Sequence, residues 1–199
     1  MDYRSTLGRI RAAVRRGTYL VTNEGVPPAQ RDALAEIASA IAAPGCDPDA
    51  VRQRIQQLHA SGRIDQVMKL SALGVLAASP HVADYEEASR LAGQQELAAL
   101  DHGGPYLDAY IASAHRHRGV VAYLLGHYAV ALDWFTRALE RERSAENLGN
   151  VLGALVRLGE HEEAHAMLDR VRTSFPAELR RAIESRVLED EDLSPLRNG

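Results

Sequence analysis

Several things are scarce in this chain. Cys46 is the only cysteine in 199 residues, so no intrachain disulfide forms and an oxidising compartment has left no mark. Lys69 is the only lysine among 23 basic residues, an arginine bias that points to a GC-rich bacterial coding sequence. Aromatic residues make up 5% of the chain, and Val and Ile are thin beside Ala and Leu, which favours helices over strands. No apolar run approaches the roughly 20 residues that span a bilayer. The N-terminus also lacks the charged, apolar, small-residue order of a secretory signal. The expectation is a soluble cytoplasmic protein that does not engage a membrane. The chain contains no Gly-x-x-x-x-Gly-Lys-Ser/Thr, no Gly-x-Gly-x-x-Gly and no Gly-x-Ser-x-Gly. Cys46 sits in a Pro/Gly loop with no histidine nearby, the wrong setting for a nucleophile. The expectation is a non-enzyme with no cofactor.

What is present is globular: 46% hydrophobic and 25% charged residues, enough for one domain or a short repeat array. The net charge of −4 is uneven. Residues 1–65 carry nine Arg against seven Asp/Glu, a net of +2, which leaves −6 for the remainder. That tilt is too mild to mark a nucleic-acid footprint by itself.

Taken in order, residues 2–16 read as an amphipathic helix with Tyr3, Leu7, Ile10 and Val14 on one face and five Arg around it. Gly17 ends it, and residues 18–26 form a loop or a short strand. Pro27 and Pro28 open a second helix that runs to about Ala43, with Leu34, Ile37, Ala38 and Ile41 inside. Asp47 caps the next helix, with Pro48 at its first position and Gly62 beyond its end. Residues 49–64 resemble the recognition helix of winged helix-turn-helix regulators. In that reading Val51, Ile55 and Leu58 pack, and Arg52 and Arg54 meet DNA.

The most ordered pattern is Gly126 to Leu139. Its apolar and small residues fall at 128, 131, 132, 135, 138 and 139, one face of a helix. Gly119, Gly126, Tyr128, Ala131, Phe135 and Ala138 together resemble the tetratricopeptide repeat. In that family Gly and Ala let paired helices approach and aromatic residues fill the gaps beside them. Gly159, His161, Ala164, Leu168, Val171 and Pro176 follow the same order 33 residues on (159 − 126). The first helix of that repeat has two registers, one on Leu152-Gly153 and one on Asn147 to Asn150. Leu70, Leu73, Gly74 and Ala77, with Tyr85 and Ala88, make a looser repeat upstream.

The resemblance implies an all-α solenoid of antiparallel helix hairpins. Residues 1–65 form an N-terminal helical region with a helix-turn-helix-like segment at 28–64. Three repeats occupy 66–176. Residues 177–199 supply a capping helix, with Leu179, Ala182, Ile183, Val187 and Leu188 facing back, and a frayed acidic tail. It also implies a non-catalytic adaptor or scaffold whose concave face holds a protein or peptide. The expected partner contacts are Arg116, Val120, Tyr123 and Arg157, an apolar centre with basic edges. A homodimer remains compatible with this reading. The alternative is a DNA-binding regulator with the N-terminal region as reader and the repeats as sensor or dimer interface. His161-Glu162-Glu163-Ala164-His165 also fits the zinc-hydrolase pattern His-Glu-x-x-His. The same residues serve the repeat pattern, with His161 at the aromatic position, so no metal is expected.

Overall fold

The computed structural model describes residues 26–197, and among them every regular element is helical. The elements are α1 (Pro28–Ala42), α2 (Pro48–Ala60), α3 (Gln66–Ala78), α4 (Tyr85–His102), α5 (Leu107–Leu124), α6 (Tyr128–Arg141), α7 (Ala145–Leu158), α8 (His161–Ser174) and α9 (Ala177–Glu189). A 3₁₀ turn, Glu191–Leu196, follows α9 directly. The basic helix expected at residues 2–16 and the loop or strand after it lie outside the described residues, Val26 excepted.

Local chemistry sets the boundaries. The Asp47 carboxylate accepts from the backbone N–H of Asp49 and Ala50, Asp65 from Met68, Asp84 from Glu87, and the Ser144 hydroxyl from Asn147. Each satisfies a donor that a first helical turn leaves unpaired. Gly126 and Gly159 take φ of 78° and 81° in the turns after α5 and α7, a conformation that costs a residue with a Cβ.

From α1 to α8 each helix packs on its chain neighbours; α1 also meets α3, α3 meets α5, and α9 packs on α7 more than on α8. Burial is greatest in α3, α5 and α7. Fourteen of the 18 residues of α5 are buried, whereas α6 buries only Ala131, Phe135 and Ala138. A helix buried nearly all round is a central element. One contiguous apolar core runs from Val26 to Leu196.

The last two hairpins repeat closely. The ends of α5 and α7 differ by 34 residues (158 − 124), and the starts of α6 and α8 by 33 (161 − 128). The one-residue difference lies in the turn, which spans 125–127 in one hairpin and 159–160 in the other. Ala131, Phe135 and Ala138 recur as Ala164, Leu168 and Val171, all buried. Counting from the helix ends pairs Gly119 with Gly153. The close approach does not follow the count. A Cβ on Gly119 would stand 2.5 Å from the Phe135 ring, whereas one on Gly153 meets nothing within 4 Å. The tight spot in α7 is one turn earlier, at Gly149, against the Arg186 guanidinium.

Three expectations are corrected here. His161 does not pack at the aromatic position; it is the exposed first residue of α8. The acidic segment after α9 is not a solvated tail, because Leu193 and Leu196 are both 1% exposed. They are three residues apart, the spacing that shares a face of a 3₁₀ helix. On α9, Ile183 and Val187 face inward as expected, but Ala182 and Leu188 are exposed.

Candidate functional site

The four residues expected in an open groove are mostly inside the protein. Arg116 has no exposed surface at all, and Val120 and Tyr123 are buried. They lie on α5, which α3, α4 and α6 enclose. The expectation that Arg116 and Val120 meet a partner in solvent is therefore corrected by burial.

Arg116 instead anchors an internal charge cluster. Its Nη1 donates to Asn147 Oδ1 at 3.1 Å and lies 3.6 Å from Glu142 Oε2. Its Nε stands 3.3 Å from Glu146 Oε1. Asn147 Nδ2 donates to the Glu142 carbonyl at 2.9 Å. From α9, Arg186 donates through Nη1 to the Glu146 carbonyl (3.3 Å) and through Nη2 to Asn150 Oδ1 (2.9 Å). Burial raises the Glu146 carboxyl to about 7, against the pull of Arg116 and Arg186 and with a further push from Glu142. The cluster joins α5, the end of α6, α7 and α9. It is a structural joint, since these contacts run between helices, although Arg116 Nη2 is buried with no hydrogen-bond partner.

Tyr123 and Arg157 form a different arrangement. They are the penultimate residues of α5 and α7 and stand 34 positions apart, the helix-end spacing of the two hairpins. Both turn to Asp192 in the 3₁₀ turn. Tyr123 Oη donates to Asp192 Oδ2 at 2.7 Å. Arg157 Nε donates to the same oxygen at 2.9 Å and also approaches Tyr123 Oη at 3.2 Å. Arg157 Nη2 donates to Asp192 Oδ1 at 3.1 Å. The guanidinium thus grips the carboxylate with a two-pronged fork. The Arg157 side chain is 19% exposed and that of Asp192 is 7% exposed, so the clasp sits at the protein margin, partly shielded from water. Helix C-termini carry partial negative charge and repel a carboxylate. The Arg157 guanidinium offsets this with a full positive charge, and Tyr123 adds a hydroxyl donor. The Tyr123 ring is fixed edge-on to Tyr128 at 5.1 Å and tilted to Phe135 at 6.4 Å.

The other sequence candidates are also placed. Arg52 pairs with Asp49 at 2.8 Å, Arg54 with Glu36, and Arg63 with Glu36 at 3.8 Å. Trp134 is half-buried, with His115, Arg118 and Arg137 around its ring. His115 and Arg118 share Glu96, while His117 turns to Gln95 at 2.9 Å. Among the described residues no group of three or more His, Cys, Asp or Glu is placed to hold a metal, and no helix is long and apolar enough to cross a membrane.

The joint at Asp65 had no sequence signal beyond its place before a helix. Besides capping α3, its carboxylate accepts from Gln30 Nε2 (3.1 Å) and Tyr110 Oη (2.9 Å), tying α1 and α5 to one point. Burial and that carboxylate push the Tyr110 hydroxyl above its ordinary range.

No protein-family model matches the chain, and no curated protein or solved structure matches it either.

Proposed function

We propose that this chain is a non-catalytic scaffold of the tetratricopeptide type that holds an acidic segment of a protein partner at the ends of α5 and α7. The observation that carries the reading is the clasp. Equivalent positions on consecutive hairpins, 123 and 157, supply a hydroxyl and a guanidinium to one carboxylate of a short 3₁₀ segment. A repeated hairpin that presents matching positions along one edge is the way helical arrays bind extended chains. Support also comes from the 33- to 34-residue spacing and from the Gly119–Phe135 contact, which is the small-against-aromatic packing of that family.

The DNA-reader alternative draws less support. Its arginines on and after α2 are engaged by Asp49 and Glu36, and α2 leads through a short turn into α3 with no strand between them.

The test uses a fluorescent peptide with the sequence of residues 189–197 and the full chain carrying Asp192→Ala, which vacates the clasp. Saturable anisotropy is expected, and adding Arg157→Glu should abolish it with the helical circular dichroism unchanged. Binding that ignores Arg157→Glu would refute this site.

A further inference from the structure

The clasp is already filled by the chain itself. We propose that Asp190–Leu196 is a displaceable internal occupant, so that the chain is self-blocked until an acidic segment of a partner competes for Tyr123 and Arg157. This rests on the scaffold reading above and adds a regulatory step to it.

Three features favour displacement over a permanent cap. The segment is a six-residue 3₁₀ turn with Pro195 inside it, a conformation with poor hydrogen-bond geometry that rarely runs this long. Its polar anchors include the Asp192 clasp, the Asp192 N–H donating to Asp190 Oδ1 (3.1 Å), and Arg197 donating to the Val187 and Asp190 carbonyls. Its main apolar anchors are Leu193 and Leu196. The hairpin beneath packs Leu148, Leu152 and Leu155 with Ala164, Leu168 and Val171, in the same core that Leu193 and Leu196 join. Lifting the segment therefore needs a backbone change near Asp190 and leaves α7 and α8 packed. Elements held by few buried contacts occupy the low-stability end of a protein, where switching segments are found.

The contacts also define the competitor. It needs a carboxylate for the Arg157 fork and aliphatic side chains one and four residues later, the places of Leu193 and Leu196. A covalently attached occupant acts at an effective concentration on the order of millimolar, so a partner segment binds the wild-type chain weakly. Apparent affinity falls by the fraction of molecules with the site vacant.

The experiment titrates the 189–197 peptide into the wild-type full chain and into two full-chain variants. Asp192→Ala removes the ionic anchor. Leu193→Ala with Leu196→Ala loosens the apolar anchors and keeps Asp192, so it decides the matter if the first variant folds poorly. Each variant should bind the peptide on the order of ten-fold more tightly than wild type, the equivalent of one charge-assisted hydrogen bond. Equal affinity in all three chains would overturn the self-blocking and leave the scaffold reading standing. No binding to any of them would remove the scaffold reading and this inference with it. A wild-type dimer that Asp192→Ala dissolves would overturn the internal assignment, because the occupant would then be the segment of a second copy.

Discussion

Glu146→Gln tests the buried charge cluster through pH. In the folded chain burial lifts this carboxyl to about 7, while in the unfolded chain it ionises near 4.5. Between those values the folded chain holds a proton that the unfolded chain has released. The stability contributed by the protonated group is therefore fully present below about pH 4.5 and is lost as pH rises through about 7. The gap is 2.5 pH units (7 − 4.5), each worth about 1.4 kcal/mol, so the loss is about 3 kcal/mol. Glutamine has nearly the same shape and does not titrate, so its chain lacks this term. Glu36 and Glu87, which Arg54 and Arg90 hold below the usual carboxylate range, act in the opposite sense, but both chains contain them and they cancel in the comparison. The assay is urea unfolding followed by far-UV circular dichroism, run on both chains from about pH 4.5 to about pH 8. Wild-type stability minus variant stability should fall by about 3 kcal/mol across that range. A difference that stays flat would refute the reasoning, because it would mean that Arg116, 3.3 Å away, keeps Glu146 ionised throughout.

Substitutions at four further sites separate the other claims. Gly119→Ala sets a methyl 2.5 Å from the buried Phe135 ring and should cost about 1–3 kcal/mol in urea unfolding, whereas Gly153→Ala meets nothing within 4 Å and should stabilise by about 0.5–1 kcal/mol. The same sign at both sites would contradict the shifted close approach. Asp65→Ala removes a cap and strands the Tyr110 hydroxyl, and should cost about 2–3 kcal/mol; Asp65→Asn, which keeps an acceptor, should recover part of that. Arg116→Ala removes the buried guanidinium beside Glu142 and Glu146 and should cost about 3–5 kcal/mol. Full stability after that change would return Arg116 to the surface role its sequence context suggested.

The helix starts and stops were legible because they depend on neighbours in sequence. Pro28, Asp47, Gly62, Gly126 and Gly159 act within a turn of where they stand, and the structure places all five at or beside a helix end. The stripe at 131, 135 and 138 was legible for the same reason, and it recurs at 164, 168 and 171. The fate of Arg116 was not. An arginine reads as solvated unless its counter-charges are visible, and Glu142 and Glu146 come from other elements, 26 and 30 residues away. The clasp was half legible: Tyr123 and Arg157 are two of the four contacts expected on first helices, but the ligand that joins them comes from a stretch whose four consecutive acids suggested a solvated tail. Leu193 and Leu196 carried the missing signal, a spacing of three around Ser-Pro that suits a packed 3₁₀ turn.

Charge reversal across the clasp tests the central claim most directly. The full chain with Asp192→Ala should bind the 189–197 peptide and ignore a copy of it in which lysine replaces the aspartate of position 192. Adding Arg157→Glu should invert that preference, so that the lysine peptide binds and the aspartate peptide does not, with the contact weakened by salt in both pairings. If both chains prefer the same peptide, Arg157 does not read the partner's charge, and the clasp is only the fastening of a structural cap.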